Sequence, residues 1–171
     1  MKLLGLILFA ITVAITAQAR LGENESDFNR KFFYRKQGED FEGDKKVGTS
    51  FKVKKRVYQS KEPDAAKDPR TQGTNPLFQL TVTFVNGVSQ HEEYWFIYNR
   101  EVADKDIEAM KAANGGADNW TKTDTAKGGQ VVFTRKDGKA TMKVSSRAIE
   151  LSSDVYTKLQ QEEKKITAPQ F

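Results

Sequence analysis

The stretch FQLTVTFVNG, residues 78–87, decides the fold. Phe78, Leu80, Val82 and Phe84 alternate with Gln79, Thr81 and Thr83, the period of a strand with one buried and one polar face. Asn86-Gly87 then supplies the positive φ angles of a two-residue hairpin turn. The spacing predicts a return strand over 88–98 in which Val85 faces Val88, so the row Phe84, Val82, Leu80, Phe78 meets Ser89, His91, Glu93 and Trp95. Polar residues beside core call for a bulge that shifts the register before Tyr94, or for a hairpin tip that projects into water. Either way His91 and Glu93 fall on an exposed, locally twisted surface, and both are candidate binding residues.

Downstream, Asp104 offers a cap for a helix over 105–113, with Ile107 and Met110 as its buried side and Asn114-Gly115-Gly116 as its stop. A second hairpin turns at Asp137-Gly138, pairing Phe133 with Met142 and Val131 with Val144. A strand over 148–152 follows, and Ser153 caps a helix over 154–165 packed through Val155 and Leu159. Upstream, Asn24 or Ser26 opens a helix over 26–36, with Phe28 and Phe32 four apart on one face and Gly38 as the stop.

Residues 49–58 also alternate. Phe51, Val53 and Val57 point one way, and Lys52, Lys54, Arg56 and Tyr58 the other, a basic stripe ending in an aromatic. A polyanion binder uses such a stripe, and a guarded edge strand has one too. Residues 59–76 are polar, with prolines at 63, 69 and 76, and read as a long loop. The elements together predict an α+β fold, a mainly antiparallel sheet of about five or six strands with two or three short helices. Phe32, Leu80, Val82, Phe84, Ile107, Phe133 and Val144 are its expected common core.

The first nineteen residues read differently. Lys2, an apolar run over 3–14 and Ala17-Gln18-Ala19 carry the signature of a secretory signal peptide cleaved before Arg20, leaving one domain over 20–171 with no transmembrane anchor. Removing them takes one lysine and no acid, so 27 basic residues stand against 23 acidic ones, a net +4. The chain has no cysteine, which excludes a lipid anchor on a thiol and disulfide staples, and points to a bacterial protein of the periplasm or exterior.

Arg20-Leu21-Gly22-Glu23 before a short helix, the strand and turn from Leu80 to Gly87, and the run from Trp120 to Arg135-Lys136-Asp137-Gly138-Lys139-Ala140 resemble small exported bacterial proteins of unknown function. More distantly, a short helix followed by antiparallel strands is similar to the modules of β-lactamase inhibitor protein and of small outer-membrane assembly lipoproteins; the chain departs from the latter in lacking the lipid-bearing cysteine. The resemblance implies a binding scaffold and transfers no site residue.

Chemistry is sparse. One histidine and no cysteine remove zinc clusters and thiol catalysis, and no cofactor motif is present. In His91-Glu92-Glu93 adjacent residues point to opposite faces, so His91 and Glu93 alone converge, too few for a metal. No G-x-S-x-G elbow occurs. The expected function is a noncatalytic exported binding or envelope-associated protein, with Lys52, Lys54, Arg56 and Tyr58 as the surface for an anionic envelope polymer or an exported protein. No feature points to a specific nucleic acid. The alternative is an enzyme acting on an envelope polymer through carboxylates that sequence does not single out.

Overall fold

The computed structural model describes residues 20–34, 44–47, 51–59, 78–97, 100–126 and 129–167. The expected leader and nearly all of the expected loop lie outside these residues, as does Gly38. Three helices, α1 (Glu25–Lys31), α2 (Asp104–Ala113) and α3 (Asp154–Thr167), accompany the strands. These are β1 (Phe33–Tyr34), β2 (Asp44–Val47), β3 (Phe51–Gln59), β4 (Phe78–Val85), β5 (Val88–Phe96), β6 (Trp120–Ala126), β7 (Gln130–Arg135), β8 (Ala140–Val144) and β9 (Ala148–Ser153).

The fold is α+β, with every described strand pair antiparallel. The sheet is larger than the alternation predicts: nine strands in the order β1-β3-β4-β5-β9-β8-β7-β6, with β2 beside β3. Seven of them, β3 to β9, have five residues or more. The chain thus forms two meanders, each preceded by a helix, whose last strands β5 and β9 pair at the centre.

The Asn86-Gly87 turn forms as expected, with φ of 53° and 88°. Beyond it the register shifts: Phe84 faces Ser89 but Thr83 faces His91, which leaves Gln90 as the extra residue of a bulge. Ser153 Oγ holds that residue by donating to Gln90 Oε1 at 2.6 Å, and the same oxygen accepts from Tyr156 N at 3.1 Å to cap α3. The bulge reverses the pairing read from the turn. Val82 now meets Glu92, Leu80 meets Tyr94 and Phe78 meets Phe96 on the core face, while His91, Glu93 and Trp95 turn to the opposite face.

The expected core residues gather on one side. Phe28 of α1, Phe32 just past its end and Met110 of α2 cover Leu80, Val82, Phe84, Tyr94, Met142, Val144, Ile149 and Leu151, with Ile107 and Phe133 partly buried against them. Aromatic rings fill the α1 side, Phe28 lying 5.3 Å from Phe84 and 5.6 Å from Tyr58. A smaller cluster sits on the back of the sheet, where Leu159, Val155 and Tyr156 of α3 pack on Phe51, Val53 and Val85.

Two helix boundaries differ from the sequence reading. Helix α1 starts with an Asn24 capping box but stops at Lys31, because Phe32 adopts extended backbone and the chain continues into β1 against β3. At α2 the cap position is Ala103, not Asp104; Asp106 closes the turn by accepting from Ala103 N at 2.9 Å. The glycine stop is as predicted, with Gly115 and Gly116 both at positive φ.

Candidate functional site

Residue pairs in register share a face, so β3 can be placed. Lys54 pairs with Phe84, Arg56 with Val82 and Tyr58 with Leu80. The basic stripe therefore lies on the helix-covered face and not on an outer one. Tyr58 is fully buried in the aromatic cluster. Lys54 Nζ (3.0 Å) and Arg56 Nε (3.3 Å) close on the one carboxylate of Glu25 in α1. Lys52 stays exposed, its backbone tied to the hairpin tip by Asn86. The strand is covered on both faces, α1 over the stripe and α3 over Val53, which is why alternation misreads its outside.

His91 and Glu93 share the back face as expected, but they differ in access. His91 is 9% exposed. The ring of Tyr156 stacks on it at 4.2 Å and 7° between planes, and Nδ1 lies 3.0 Å from Ser152 Oγ. Burial, ahead of the Lys55 and Lys143 charges and against the pull of Glu150, pushes the imidazole down to about 4. Buried, with its proton affinity this far down, the ring is neutral at physiological pH and a weak base. Glu150 Oε1 is also nearest to Nδ1, at 4.0 Å, so serine and carboxylate address one ring nitrogen. A hydrolytic relay needs them on opposite nitrogens.

Alternation sets Glu92 on the face opposite to His91 and Glu93 but does not single it out. The bulge turns it into the core between Val82 and Leu151, with 0% exposure. Burial pushes its carboxyl up to about 8; the Ser89 and Tyr94 hydroxyls and Lys31 pull it down, and Glu23 pushes it further up. Tyr94 OH donates to Oε2 at 3.2 Å, and Oε1 has no hydrogen-bond partner among the described residues. The sequence signal that finds it is the pair Tyr94 and Phe96, which in steps of two share a face with Glu92 once the bulge is admitted.

Away from α3 the back face is partly exposed, although Thr81 and Val57 are buried on it. Gln79, Trp95 and Ala148 form one cross-strand row, and Glu93, Glu150, Lys143 and Val132 form the next. Lys143 Nζ pairs with Glu150 at 3.2 Å. Trp95, 47% exposed, is the large apolar side chain that reaches solvent among the described residues. Those residues hold no group of three potential metal ligands and no helix long and apolar enough to cross a membrane. Among them Glu92 is the one carboxyl pushed upward, and it lies on the other face from Glu93 and Glu150. No family model, curated protein or solved structure matches this chain at a significant level.

Proposed function

We propose that the chain is an exported, noncatalytic binding protein of the bacterial periplasm or exterior, and that its contact surface is the partly exposed back face around Trp95. The exposed indole carries this reading. A tryptophan left half in water on an otherwise polar sheet is the residue type that anchors protein–protein contacts, since its area is large and little side-chain freedom is lost. Export is supported by Ala17-Gln18-Ala19 after the apolar run, and the absence of cysteine favours a bacterial source over a eukaryotic one. Of the two partner classes the stripe suggested, an exported protein fits better than an anionic polymer, because Lys54 and Arg56 already share the Glu25 carboxylate beneath α1.

A second reading, an enzyme acting on an envelope polymer, rests on Glu93 standing directly opposite Glu150. Like charges in that position oppose pairing, which gives the pair a cost that function could explain. Against it, Lys143 already serves Glu150, and Glu92, the carboxyl that burial pushes up, lies on the opposite face.

The test is capture from envelope extract by the immobilised protein, compared with two variants. Trp95→Ala should lose the captured partner, while Lys52, Lys54 and Arg56 replaced together by glutamine should keep it. The reverse pattern would restore the stripe as the contact surface. Release of soluble fragments from purified envelope polymer, abolished by Glu93→Gln, would establish the enzyme instead.

A further inference from the structure

Ahead of α1, residues 20–23 run along the core face in a way that their own sequence does not require. Leu21 N donates to Asn114 Oδ1 at 2.9 Å, Gly22 N to Ser89 O at 2.7 Å, and Ser89 N to Glu23 O at 2.7 Å. The Ser89 hydroxyl accepts from Gly22 N at 3.1 Å and donates its one proton to Arg20 O at 2.9 Å. Leu21 packs against the core cluster, and Glu23 holds Lys31 of α1 with both carboxylate oxygens, at 2.6 and 2.7 Å. Three residues along β5 from this latch is the sealed Glu92, its Oε1 without a donor among the described residues.

We infer that residues 20–23 form a strap, latched by Ser89, that stays closed while Glu92 is protonated and opens when Glu92 gives its proton to solvent. The inference stands apart from the binding reading and does not depend on it. Two interactions carry the coupling. A buried anion demands donors, and the Ser89 hydroxyl, which acts on Glu92 while it donates to Arg20 O, leaves Arg20 O without that proton when it turns to the anion. The strap also carries an acid of its own, so a second negative charge at Glu92 works against Glu23 while it attracts Lys31, the partner that pins Glu23 down. The groups acting on Glu92 are thus Glu23 from the strap, Lys31 from α1, and the Ser89 and Tyr94 hydroxyls from β5; its sheet neighbours, Val82 on β4 and Leu151 on β9, are uncharged.

Amide hydrogen exchange of the intact protein tests this between about pH 6 and about pH 9.5, with rates corrected for the intrinsic pH dependence and referred to the β4 amides. Protection at Leu21, Gly22 and Ser89 should fall about tenfold through a midpoint near that of Glu92, with β4 unchanged. Glu92→Gln should show no step, and Glu23→Gln, which removes a charge that favours the protonated form, should move the midpoint to lower pH. A strap that tracks β4 throughout overturns the inference, as does a step kept by Glu92→Gln. If that variant does not fold, the Glu23→Gln midpoint decides, and an unmoved midpoint overturns it too.

Discussion

His91 and Glu92 are neighbours in the chain and lie on opposite faces of the central strand. One is closed in by a helix that arrives from the C-terminal side and the other by a helix and strap from the N-terminal side. Their ordinary charges are opposite, yet burial moves the base down to about 4 and the acid up to about 8, so both are neutral near pH 7. Glu93, next along, is the one of the three that is not buried. A polar triplet in the sequence is therefore two sealed groups and one surface group in the fold. Coverage by α1 and α3, rather than residue type, separates what can meet a partner from what cannot.

The largest test of the comparison sets the two cores against each other. Phe84→Ala empties the aromatic side and should cost about 3–5 kcal/mol in denaturant unfolding, against about 2 kcal/mol for Leu159→Ala beneath α3. Equal losses would mean that the back cluster is no satellite.

The pH dependence separates the two buried groups by sign. Glu92, raised to about 8 from 4.5, contributes stability fully present below pH 4.5 and lost as pH rises through about 8. His91, lowered to about 4 from 6.5, contributes stability present above pH 6.5 and lost as pH falls through about 4. Their slopes oppose each other between 4.5 and 6.5, giving a plateau there with a fall on either side. Glu92→Gln should flatten the alkaline fall, on the order of a few kcal/mol. His91→Phe keeps a ring against Tyr156 and should remove the acid fall and turn the plateau into a decline that starts near pH 4.5, a somewhat smaller effect. A single variant that flattened both limbs would break the independence of the two faces.

The smallest effect belongs to the stripe. Lys54→Gln with Arg56→Gln should cost no more than about 1 kcal/mol, shrinking as salt rises, because the Glu25 pairs are partly solvated. A salt-independent loss well above that would indicate that the stripe's packing, and not its charge, holds α1.

The sequence made the regular parts legible for physical reasons. Alternation at 78–84 and the two turn motifs specify pairs locally, and Phe133 with Met142 and Val131 with Val144 pair as read. Strand β6 escaped because its residues 121–125, TKTDT, hold no apolar member to alternate with, and β1 and β2 because they are short. On β5 the polar residues beside core call for a bulge before Tyr94, and one forms at Gln90; its position was not legible, because no local preference marks it, and it inverts everything after it. That inversion hid Glu92 and placed His91 under a helix. On β3 the alternation is real, but both faces are covered, and the side with Tyr58 is the deeper one. Trp95 is plain in the sequence, but its exposure follows from the register that the bulge sets.

The most direct measurement is a titration by nuclear magnetic resonance of the Glu92 side-chain carboxyl carbon and the His91 ring in one sample of folded protein. The account predicts that Glu92 titrates near 8 and His91 near 4, each sealed on its own face of β5. Glu92 titrating near 4.5, or His91 near 6.5, in a protein that remains folded would contradict it, since a group with its ordinary value has water beside it.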